Sequence, residues 1–230
     1  MHHVVVEQWS RARSPLHRRE PRAKLGALLA FLIAVSTSDA RAQPAFAAYA
    51  VLLGAAILAS RLPAAALLRR AALVLPFSAT FALITWWSGD PWRALALAEK
   101  SFLSGLAALL LIATTPVTDL MRGLEALRVP RMLILVIQFL YRYLFVISEQ
   151  AQHMRLAAAS RSGWRFRSAA GALAVLFARA SERADGIYRA MLARGFSGRF
   201  PAFSRPHFHT ADVVFLCASV SASAAIRLAL

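Results

Sequence analysis

AFAAYAVLLGAAILAS, residues 45–60, runs for sixteen positions without a charge, between Arg41 on one side and Arg61 on the other. A hydrocarbon core about 30 Å thick is crossed by roughly 20 helical residues, and by fewer when flanking arginines snorkel to the headgroups. The stretch therefore reads as a membrane span. Working outward, four more uncharged or nearly uncharged runs have the same Ala, Leu and Ile-rich texture: Leu25–Ser38, which is short, Ala71–Trp87, Phe102–Thr115 and Val213–Leu230. Arg227 makes the last turn of the final run interfacial. Pro44, Pro63, Pro91 and Pro116 stand near the ends of these runs, where a missing N–H does least harm. With 59% hydrophobic residues and a mean hydropathy of +0.54, the chain lies outside the range of water-soluble domains.

Charge sets the orientation. Lys and Arg number 27 against 11 Asp and Glu, a formal net charge of +16. Arg18, Arg19, Arg22 and Lys24 precede the first run, and Arg61, Arg69 and Arg70 fill the second loop. The loops around Asp39 and Asp90 mix acids with bases, and Trp86-Trp87 suits the headgroup zone. Short basic loops stay inside, so the N-terminus is expected in the cytoplasm, with four crossings before residue 116. Residues 1–24 carry too brief an apolar stretch for a signal-peptide core, and no removed leader is expected. Cys217, the one cysteine, lies in an apolar run and reads as a small hydrophobe.

The expected organisation is all-α and polytopic: residues 1–116 hold the N-terminal segment and four spans, 117–210 form a cytoplasmic insertion, and 211–230 a fifth span. About half of the basic residues fall in the insertion. Three helices are legible there. TPVTDLMRGLEALRVP has an acid in its first turn and stops before Pro130. The helix starting at Pro130 changes midway from an apolar to a polar pattern; Tyr141, Arg142 and Tyr143 lie where it would leave the membrane surface. Ser168–Ala193 spaces Leu173, Leu176, Phe177, Ala180, Ala184, Ile187, Tyr188 and Met191 by threes and fours, one apolar stripe opposite Arg179, Glu182, Arg183 and Arg189. Asp185 and Arg189 are spaced for an i,i+4 pair.

The second and third of these helices end alike. AAASRSG closes one around Arg161, and MLARGF the other around Arg194, each arginine after small residues and close to a glycine able to stop a helix. Such a tip presents a guanidinium fork on a slim stalk, suited to a carboxylate in a groove. An arginine there also complements the helix dipole, the plainer reading for either tip alone.

Over most of its length the chain resembles the transmembrane (T) component of energy-coupling-factor transporters, the cobalt/nickel-type subunit in particular. The resemblance rests on SPLHRREPRAKL, with Glu20 where the family has Asp, on ASRLP, Pro76-Phe77, TTP, LRVPR and YRYL, and on the two arginine motifs. The second motif is complete at Ala193-Arg194-Gly195; the first reads Ser160-Arg161-Ser162, with Ser where Ala is typical. The resemblance implies coupling helices whose arginine tips dock on two ATP-binding-cassette ATPase subunits, with a separate substrate-binding membrane subunit alongside. It implies ATP and Mg on those ATPases, no cofactor on this chain, and a bacterial inner-membrane location. Cobalt or nickel is the expected cargo, a vitamin the alternative.

Other chemistries find little support. The six histidines, His2-His3 and His207-Phe208-His209 among them, lack the three or four convergent ligands of a firm metal site. His17 reads as fixing how a strand-like segment enters the first span. A membrane-embedded enzyme needs ionisable or nucleophilic groups within the spans, which offer only hydroxyls such as Ser78, Thr80, Thr85 and Ser104. Arg165 and Arg167 around Trp164 and Phe166 resemble a base-stacking patch, but beside a bilayer they read as an interfacial anchor, and no nucleic acid is expected.

Overall fold

The computed structural model describes residues 9, 14–127, 129–160, 166–196 and 209–229, with the backbone alone for 131 and 166–169. Every regular element among them is helical: α1 Pro21–Thr37, α2 Gln43–Ser60, α3 Ala64–Ala71, a 3₁₀ turn Ala72–Val74, α4 Leu75–Trp87, α5 Pro91–Thr114, α6 Val117–Ala126, α7 Arg131–Ala159, α8 Phe166–Ala193 and α9 Thr210–Ala229. The protein is an all-α, polytopic membrane protein.

Prolines punctuate it. Pro21, Pro44, Pro76 and Pro91 occupy the first or second position of α1, α2, α4 and α5, and Pro63, Pro116 and Pro130 cap α3, α6 and α7. Pro76 also accounts for the 3₁₀ turn. Its ring crowds the carbonyl of Ala72, and the backbone tightens to the Leu75 N–H bond onto that same carbonyl.

Among the described residues, five helical stretches are long and apolar enough to cross a membrane: Gln43–Ser60, Ala64–Trp87, Pro91–Thr114, Met132–Ala159 and Thr210–Ala229. The number matches the expectation, but the membership differs. α1, at 17 residues, falls short, while α7 qualifies through the apolar run that opens it. α5 begins eleven residues before the expected Phe102, because Pro91 starts a helix that carries Glu99 and Lys100 within it.

The chain divides into two compact units, 1–129 with 206–230, and 130–205. In the first, α5 is the central element, packed against α1, α2, α3 and α4, while α9 lies along α1. Phe31, Val35, Tyr49, Leu53, Ile57, Leu67, Leu103, Leu106 and Leu110 form the buried core. Tyr49 meets Phe31 edge-on, ring centres 5.6 Å apart. Its hydroxyl lies 3.2 Å from Ser38 Oγ, which itself donates to the Ala34 carbonyl, so Tyr49 is the donor of that pair. α6 also belongs to this unit: a Cβ on Gly123 would come within 3.1 Å of Pro21 and Leu25, so a larger residue would push its neighbours on α1 aside by a few tenths of an ångström.

Two lysines tie α1 to α5 at opposite ends. Lys24 Nζ, just before the apolar run of α1, donates to the Thr114 carbonyl at 2.9 Å and to Thr115 Oγ1 at 3.1 Å, where α5 stops. Lys100 Nζ, on α5, donates to the Ser36 and Ser38 carbonyls at 2.9 and 2.7 Å, where α1 stops. Each helix thus supplies a cation to the other's negative terminus.

The second unit holds α7 and α8. On α8 the expected stripe is only partly covered: Leu176, Ala180, Ile187 and Met191 are half-buried, whereas Leu173, Phe177 and Tyr188 are 68%, 77% and 58% exposed. No ion pair joins Asp185 to Arg189; exposed partners at this spacing gain little by meeting.

Candidate coupling site

The tip of α8 is built by its backbone. α8 ends at Ala193, after which the Gly195 N–H bonds the Leu192 carbonyl at 2.9 Å and the Phe196 N–H reaches back to the Met191 carbonyl at 3.0 Å. These two bonds make a Schellman motif, which requires a left-handed residue, and Gly195 has φ +74°. A Cβ at Gly195 would meet nothing within 4 Å, so within this chain the glycine serves the backbone angle and not close approach. Ala193 and Arg194 are exposed, and Arg194 has no ion-pair partner among the described residues.

At the end of α7, Ser160 is the capping residue. Its N–H bonds the Leu156 carbonyl and its hydroxyl donates to the Ala157 carbonyl at 2.9 Å. Arg161 and Ser162 lie outside the described residues, as do His2, His3, His207 and residues 164–165.

A second constellation, in the first unit, escaped the sequence reading. Asp212, 4% exposed, sits in the first turn of α9. Its Oδ2 accepts the His209 N–H and its Oδ1 the Glu20 N–H, both at 3.2 Å. His209 precedes α9 and Glu20 caps α1, so one carboxylate closes two helix N-termini and answers both dipoles. Arg19 Nη1 stands 3.9 Å away, and Arg22 Nε pairs with Glu20 Oε1 at 3.2 Å. Burial pushes the Glu20 carboxyl up, opposed by Arg22 and reinforced by Asp212. Burial likewise lowers the Lys24 ammonium to about 8, against the pull of Asp119 and Asp212. An acid three residues into a helix was the available signal, but it stood at the edge of a run read only for its apolarity.

Residues 14–20, just before α1, form a turn and not the strand-like stretch expected. His17 does fix it: Nε2 lies 2.9 Å from the Trp9 carbonyl, so in the neutral ring it carries the proton, and Nδ1 then accepts from Ser14 Oγ at 2.7 Å. Arg70, which with Arg69 lies in the last turn of α3 and not in the expected loop, stacks 4.3 Å above the Trp9 ring. Among the described residues no three His, Cys, Asp or Glu side chains converge to hold a metal.

The family profile described as CbiQ, cobalt transport protein, matches residues 12–204, which include the segment before α1 and both arginine motifs. This chain belongs to the CbiQ family. Among individual relatives, the cobalt transport protein CbiQ of Rhodobacter capsulatus is 34% identical over 120 residues, covering 50% of this chain and 49% of that protein. The nickel permease LarQ of Lactiplantibacillus plantarum is 29% identical over 147 residues, 61% of this chain and 53% of that one. An uncharacterized protein of Methanocaldococcus jannaschii is 31% identical over 103 residues, 42% of this chain and 38% of its own length. The chain thus spans about half the length of these curated relatives, or less.

Proposed function

We propose that this CbiQ-family chain is the energy-coupling transmembrane subunit of an energy-coupling-factor importer for cobalt or nickel. It sits in a bacterial inner membrane with its N-terminus in the cytoplasm and residues 117–210 facing the same side, the apolar first half of α7 lying along or dipping into the bilayer instead of crossing it. It catalyses nothing itself. Two ATP-binding-cassette ATPases burn the nucleotide, and a separate membrane subunit binds the metal. Arg161 and Arg194, framed by Ser160 and Ser162 and by Ala193 and Gly195, seat in grooves of the ATPases, where a guanidinium–carboxylate pair acts as a pivot. Closure of the ATPases moves the tips, and the amphipathic helices pass the movement to the substrate subunit by packing.

The observation that carries this reading is the α8 tip: an exposed arginine with no ion pair among the described residues, on a helix end locked by its own backbone, in a chain of a cobalt transport family. The exposed apolar stripe of α8 supports a membrane or protein neighbour for the same helix. The names of the relatives favour cobalt and nickel over a vitamin. The test is charge reversal: Arg161→Glu with Arg194→Glu is expected to abolish ATPase co-purification and metal uptake while the chain still reaches the membrane. Intact co-purification and uptake would remove the proposal.

A further inference from the structure

Between α1, α2, α5 and α9 the first unit keeps a recess of about 310 Å³. Ala27, Phe31, Leu53, Ala56, Leu110 and Phe215 are among its walls. Lys24 and Thr114 stand at the end where α1 begins and α5 stops. Ser219 and Ser223 also face it, but their hydroxyls donate to carbonyls of their own helix, at 2.9 and 2.8 Å. A water needs two to four polar partners, and these walls withhold them. An unfilled apolar cavity costs stability in proportion to its volume. α2, α5 and α9 are long and apolar enough to cross a membrane, so the plentiful guest at this depth is hydrocarbon.

Charge selects the headgroup. Arg18, Arg19, Arg22 and Lys24 fall within the seven residues of chain that lead into this end, and the nearby acids are engaged: Asp212 by two backbone N–H groups, Glu20 by Arg22 and Asp119 by Arg122. The donors of Lys24 are taken up by the His17 and Thr114 carbonyls and by Thr115 Oγ1, which leaves its positive field and no free donor. Arg18 is exposed and makes no ion pair among the described residues. We infer that this recess is a phospholipid site: it takes one acyl chain of an anionic glycerophospholipid, whose phosphate rests at the basic end near Arg18 and Lys24. A bound lipid of this kind would be part of the folded subunit, filling a space that its side chains leave.

The full chain, purified with its membrane partners and returned to vesicles, tests this with phosphatidylglycerol and phosphatidylcholine carrying a diazirine in one tail. The phosphatidylglycerol probe is expected to label peptides around Leu53 and Leu110 about fivefold more than the phosphatidylcholine probe, the factor that one basic residue near an anionic headgroup supplies. Ala27→Phe with Ala56→Phe should remove that labelling and leave labelling of the outer face at Phe77 and Trp87 unchanged. Equal labelling by both probes, labelling of the outer face alone, a crosslinked partner peptide in the recess, or labelling indifferent to the filled variant would each overturn the inference. Should the filled variant fail to accumulate, native mass spectrometry of the unaltered protein decides: a retained phosphatidylglycerol supports the site, and a lipid-free chain rejects it.

Discussion

Asp212 shows how much one residue holds. Its two oxygens accept from the backbones of Glu20 before α1, 192 positions away in sequence, and of His209 before α9. Asp212→Ala removes both bonds and leaves the Glu20 N–H buried without an acceptor, a loss of about 2–4 kcal/mol. Asp212→Asn keeps one acceptor oxygen and should lose about half as much. Unfolding in mixed micelles compares the three; an alanine variant as stable as the parent would show that the double cap is idle. Residues of this kind were the least legible in the sequence. A carboxylate announces a local cap, but which distant helix shares it depends on packing. Lys24 was counted only as a positive-inside charge, yet it is buried against the end of α5.

At the scale of elements, the spans were legible because an uncharged run in lipid has no alternative to the helix. Their limits were not, wherever a polar residue found a partner. Lys100 looked like loop chemistry and stands inside α5, its charge answered by the last carbonyls of α1. The two arginine tips were legible as motifs; α8 adds the reason for the glycine, a left-handed backbone that closes the helix. Gly195→Ala at φ +74° is expected to cost about 1 kcal/mol at the tip. Hydrogen exchange of the Phe196 amide should rise about fivefold, exchange in mid-helix should stay put, and Gly195→Asn should suffer less, since asparagine tolerates this region better. Unchanged exchange at Phe196 in the alanine variant would show that the turn does not depend on glycine.

For the whole molecule, Lys24 links stability to pH. Its folded value of about 8 lies below the ordinary 10.5, so between those values the unfolded chain binds the extra proton. Stability from this group therefore rises as pH climbs from about 8 towards 10.5, and Lys24→Met should flatten that rise. Melting curves of parent and variant at pH 7.5 and 10 check the sign; parallel curves would refute it. The paired lysines have one more consequence. Because Lys24 and Lys100 fasten α1 and α5 at opposite extremities, a slip of one helical residue, about 1.5 Å, would stretch both fastenings together. The pair is a stiff girder, and a force delivered to either rod will rock the two as one before it shears them.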